Sequence, residues 1–84
     1  MGDARADLVD GLAEHVGVAP LTPAEIESVL ALAGAAAHGT GDRTSAPLAS
    51  FLAGMAAARG GDRAGTLDEI RRRAEELAPP AEAG

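Results

Sequence analysis

Apolar side chains recur along this chain at intervals of three and four, and no stretch alternates with a period of two, so the pattern predicts helices and no sheet. The first helix is expected from about Ala4 to Val16, with Leu8, Leu12 and Val16 on one face and Val9 and Ala13 widening it. Gly17 then offers a left-handed stop. The second start is the best specified. Thr22, Pro23 and Glu25 combine an N-cap hydroxyl, a proline in the first turn and a reciprocating carboxylate, while Leu21 and Ile26 can staple them. From there Ile26, Val29, Leu30, Ala33 and Ala37 form a stripe that ends at His38 and Gly39.

Residues Gly39 to Ser45 hold two glycines, Thr40, Asp42 and Thr44, a composition that predicts an exposed turn. A third helix follows from Ser45 or Ala46, with Pro47 tolerated in its first turn, and directs Leu48, Phe51, Leu52 and Met55 inward before stopping at Gly60 and Gly61. For the fourth, Thr66 and Glu69 offer a second capping box, Leu67, Ile70, Ala74 and Leu77 line one face, and Pro79 and Pro80 end it. Short connections favour antiparallel neighbours, so the expected fold is all-α: a small four-helix array forming one domain over residues 1–78, with a flexible tail over 79–84.

Composition thins the expected core. The chain has 84 residues, room for one small domain, and its 21 alanines outnumber its 18 larger apolar side chains. Alanine buries one methyl group, so hydrophobic burial leaves such a chain near the margin, and help from a partner chain or a second copy is expected. Ala31, Gly34, Ala35 and Ala36 in the second helix and Ala53, Gly54, Ala56, Ala57 and Ala58 in the third fit a close-packed seam; a general codon bias toward Ala, Gly and Arg accounts for them as well.

Thirteen acidic residues against seven arginines give a net charge of −6, which disfavours nucleic acid and anionic lipid as ligands. The start of the chain lacks a basic, apolar leader and no segment is apolar for the roughly 18 residues a bilayer span requires, so a cytoplasmic protein with no membrane partner is expected. Cysteine is absent, no phosphate-binding glycine loop or nucleophile turn occurs, and no metal-ligand spacing is present. The expectation is a protein that is not an enzyme and takes no metal or cofactor.

Polar and conformationally special residues concentrate at the bend between the second and third helices: His38, Arg43, Pro47 and Phe51 are the candidate interaction or anion-binding residues. Arg43 and the amino end of the third helix suit a phosphate or carboxylate. Equally, Arg43 can pair with Asp42, His38 can face the helix dipole as a C-terminal cap, and Phe51, the one aromatic, can belong to the core. His15 reads as structural. Arg71, Arg72 and Arg73 read as a neutralised solvent face, with Asp68 opposite Arg72 and Glu69 opposite Arg73.

The series Ala37, His38, Gly39, then Arg43, then Ala46, Pro47, Leu48, then Phe51, Leu52 and Gly54 resembles a small family of bacterial helical domains of unassigned activity, found beside or fused to molybdopterin-guanine dinucleotide biosynthesis proteins. The likeness runs from Asp7 to Gly60; it departs where the family's opening helix often carries a tryptophan and where Ala49 and Ser50 replace common threonines. It implies an accessory interaction module in molybdenum cofactor maturation or delivery. Its expected partner is a cofactor-biosynthesis protein or molybdoenzyme maturation factor, met through the Gly39 to Phe51 corner. Two other readings remain: a domain binding a pterin or nucleotide phosphate through Arg43, and a self-associating helical homo-oligomer.

Overall fold

Three helices begin where a side chain takes up free backbone amides. The computed structural model describes residues 3–78, which form α1 (Ala4–Val16), α2 (Pro23–Thr40), α3 (Ser45–Arg59) and α4 (Arg63–Leu77), an all-α array joined by short connections. Of these α1, α2 and α4 carry such a cap, while Thr44, the residue before α3, makes none. The Asp3 carboxylate accepts from the Arg5 and Ala6 amides to start α1. Gly17, at φ 77°, ends it in a Schellman turn, its own amide reaching Glu14 O and that of Val18 reaching Ala13 O. The capping box expected at Thr22 and Glu25 is present in both directions, at 3.2 Å and 2.8 Å.

Two boundaries differ from the sequence reading. The second helix does not stop at His38 and Gly39 but continues to Thr40 and ends on Gly41, at φ 72°. Gly39 lies within the helix, where a Cβ would overlap Ala78, so this glycine serves a close approach rather than a turn. The fourth helix starts a turn before Thr66: Asp62 is its cap, accepting from the Gly65 amide at 2.9 Å. Thr66 already donates its amide to Asp62 O and makes no capping box with Glu69. Pro79, Pro80 and the tail expected over 79–84 lie outside the described residues.

Helices α2, α3 and α4 pack on one another. The start of α4 grips the start of α2 through Arg63 and Glu25, and the end of α2 at Gly39 meets Ala78 just beyond α4, so these two helices run parallel. Connections of four and three residues then require α3 to run the opposite way to both. At the centre Leu32 and Leu67, 0% and 3% exposed, meet Ala53 and Ala57 of α3, with Val29, Ala49, Ile70 and Ala74 around them. Of the small residues expected in a seam between α2 and α3, Ala53 and Ala57 pack on Leu32 and Leu67 and Ala36 is buried, whereas Gly34 and Gly54 face open space.

Helix α1 stands apart. No Cα of α1 comes within 8 Å of a Cα in α2, α3 or α4. Leu8, Leu12 and Val16, expected to face a core, are more than half exposed.

Candidate functional site

The bend between α2 and α3 is held by its own hydroxyls and one carboxylate. Thr40 Oγ1 donates to Ala36 O at 2.7 Å, lies 2.9 Å from Ser45 Oγ and accepts from the Asp42 amide. Asp42 Oδ1 accepts from both the amide and the hydroxyl of Thr44, at 2.9 and 2.7 Å, and these two bonds hold its carboxyl below the usual carboxylate range. The pairing of Arg43 with Asp42 is therefore not formed. The Arg43 guanidinium is exposed and has no hydrogen-bond or ion-pair partner among the described residues. His38 is exposed in the last turn of α2 and lines an open groove of about 480 Å³ with Ala31, Gly34, Ala35, Glu75 and Ala78. The capping role belongs to Gly41 and not to His38.

The third helix turns the opposite side outward from the one expected. Leu48, Phe51, Leu52 and Met55 are 65%, 69%, 65% and 54% exposed, while Ala53 and Ala57 are buried. Phe51 is thus not a core residue. The reason is volume: Leu32 and Leu67 already fill the space between α2 and α4, and only methyl groups fit against them at close helix spacing. Pro47, also exposed, opens this apolar face. All four candidate residues are open to solvent: Pro47 and Phe51 lie in the first half of α3 and Arg43 in the bend before it, whereas His38 lies in the last turn of α2 on the groove shared with the end of α4 and is not brought to the other three.

Sequence reading missed the most constrained charge in the molecule. Arg63 Nε and Nη2 grip Glu25 Oε2 and Oε1 at 2.6 and 2.7 Å, while Nη1 and Nη2 donate to Ala19 O and Pro20 O at 2.8 and 2.9 Å. Glu25 is 4% exposed, and the Arg63 bond, followed by the Thr22 amide, outweighs burial to lower its pKa from 4.5 to about 2. The clasp pins the connector between α1 and α2 to the start of α4, and so fixes where α1 leaves the body. A possible partner for Glu25 is visible in sequence only as one arginine among seven.

The basic triplet is neutralised, as expected, with the Asp68–Arg72 pair formed and the Glu69–Arg73 pair replaced. Arg71 bridges Asp68 and Glu75 at 2.8 and 3.0 Å, Arg73 meets Glu76 and not Glu69, and Arg72 reaches Asp68 at 3.8 Å. His15 is exposed in the last turn of α1. Among the described residues no group of three metal-ligating side chains gathers, and no helix is long and apolar enough to cross a membrane.

The chain matches the family model described as a domain of unknown function, DUF6457, over residues 2–83. No curated protein and no solved structure matches it.

Proposed function

Since this chain belongs to the DUF6457 family, we propose that it is a non-enzymatic interaction module, and that its docking surface is the corner from Gly39 to Phe51. The observation that carries this reading is the exposed apolar row Leu48, Phe51 and Leu52, preceded in the bend by Arg43, which has no partner among the described residues, a combination of greasy anchor and cationic rim suited to another protein. The resemblance of the same residues to domains adjacent to molybdopterin-guanine dinucleotide biosynthesis proteins directs the proposal to a partner in molybdenum cofactor maturation or delivery.

The geometry favours docking over binding of a small phosphate at the start of α3. An anion there needs free amides, yet the Thr44, Ser45 and Ala46 amides already donate to Asp42 Oδ1, Asp42 O and Arg43 O, and Pro47 has no N–H. The Asp42 carboxylate also stands at that helix end and repels negative charge.

The test is co-purification of a molybdopterin-guanine dinucleotide biosynthesis protein with the intact chain, with Arg43→Ala and with Arg72→Ala. Arg43→Ala is expected to lower recovery several-fold and Arg72→Ala to leave it unchanged. Equal recovery with both variants removes the corner from the interface, and heat on titration with guanosine triphosphate would favour the anion reading instead.

A further inference from the structure

We propose that the exposed side of α3 receives an amphipathic helix of the partner protein that carries a carboxylate beside its apolar residues, and that Arg59 pairs with that carboxylate. The proposal rests on the docking reading above and deepens it by stating the chemistry of the docked segment. Along α3, Leu48, Leu52, Met55 and Arg59 follow one another at steps of four, three and four residues, so they fall in one line over three turns, about 17 Å. Phe51 lies beside that line, and all five are exposed. Two ridges at four-residue spacing, Leu48 with Leu52 and Phe51 with Met55 and Arg59, leave a groove that fits one ridge of another helix. Among the described residues there is no strand edge to which an extended segment could add.

Charge states what the groove lacks. Arg63, Arg71, Arg72 and Arg73, all in α4, each reach a carboxylate of the chain. Arg5, Arg43 and Arg59 reach none among the described residues. From Ser45 to Arg59, α3 holds no acidic residue, so the cation that ends its apolar line has no counter-charge on its own helix. Asp62, three residues on, gives its carboxylate to the Gly65 amide instead. A carboxylate brought by the docked helix completes at Arg59 the pairing that α4 completes internally.

A second copy does not bring it on an apolar face. The exposed row of α1, Leu8, Leu12 and Val16, has Arg5 in line with it, while Asp7, Asp10 and Glu14 lie on the opposite side of that helix. Setting either row against the α3 line therefore brings arginine toward arginine. An anionic bilayer meets one arginine on this line against a net charge of −6, which repels it. A protein helix that is apolar and acidic on one face suits both the line and the cation.

Two synthetic helical peptides test the proposal, both with leucines at steps of four and three residues, one flanked by glutamates and the other by lysines. A single tryptophan in each reports binding, because the chain itself has no tryptophan or tyrosine. The net charge of −6 favours the lysine peptide, so a preference for the glutamate peptide reads the local site. The glutamate peptide is expected to bind the intact chain at least about tenfold more tightly, Arg59→Glu to invert that order, and Arg72→Glu, an equal change of net charge, to leave it unchanged. Circular dichroism checks that each variant keeps its helices; should Arg59→Glu lose them, Arg59→Gln is expected to abolish the preference with the fold intact. Equal binding of the two peptides, binding of neither, or a preference that survives Arg59→Glu overturns the proposal. Binding to phosphatidylglycerol vesicles that Arg59→Glu abolishes, or a doubled mass in sedimentation that Leu52→Asp abolishes, also overturns it. Selective peptide binding without recovery of a molybdopterin-guanine dinucleotide biosynthesis protein keeps the acidic helix and removes that partner. Recovery of that protein lowered by Arg43→Ala and untouched by Arg59→Glu keeps the docking corner and overturns the Arg59 pairing.

Discussion

A carboxylate removed from water has to be compensated, and Glu25 is compensated three times over, by two guanidinium nitrogens and the Thr22 amide. Its pKa falls from 4.5 to about 2, a differential interaction of about 3 kcal/mol between its charged and neutral forms. The unfolded chain therefore binds the proton more readily than the folded one between pH 4.5 and 2, so this stability is complete above the upper value and is lost as pH falls toward the lower. Arg63→Ala should cost about 2–3 kcal/mol in urea unfolding at pH 7 and flatten the acid limb of the stability profile, while Arg72→Ala, on the solvent face, should cost less than about 0.5 kcal/mol. An unaltered acid limb in Arg63→Ala would show that the clasp does not carry the effect. The Thr22 to Glu25 half of this arrangement is legible in sequence because a capping box is local. The other half spans 38 residues, and a pairing at that separation leaves no spacing from which to read it.

At the scale of elements, α3 carries two apolar stripes and only one can face inward. Reading by size selects Leu48, Phe51, Leu52 and Met55; the packed structure selects Ala49, Ala53 and Ala57, because Leu32 and Leu67 supply the bulk from the facing helices. Helix positions and the caps at Gly17, Thr22 and Gly60 follow from periodicity and turn residues, but the choice between two stripes depends on what the neighbours leave unfilled, which periodicity does not encode. Glycine placement follows the same logic. Gly39 lies against Ala78 whereas Gly34, in the same helix, has nothing within 4 Å of where a Cβ would stand. Gly34→Ala should therefore stabilise by about 0.5–1 kcal/mol through helix propensity, and Gly39→Ala should destabilise by about 1–3 kcal/mol through overpacking. Thermal melts of the two variants check this, and equal shifts in the same direction would mean that the end of α4 does not rest on Gly39.

On the scale of the molecule, six apolar residues are buried among the described residues and four of them are alanine. Such a core supplies little of the stabilisation that ordering 84 residues requires. Yet Leu8, Leu12, Val16, Leu48, Phe51, Leu52 and Met55 stand outside it, each more than half exposed. A helix that covers the α3 side binds the folded chain and not the unfolded one, so stability rises with its concentration. The glutamate peptide at about a hundred times its dissociation constant adds about 2.7 kcal/mol, which for a chain of this length raises the melting midpoint by roughly 10–20 °C. Differential scanning calorimetry of the intact chain should show that rise on adding the peptide, while Arg59→Glu should melt at a single temperature whatever the peptide concentration. A midpoint that climbs with the concentration of the intact chain alone would mean instead that a second copy covers the apolar face of α3.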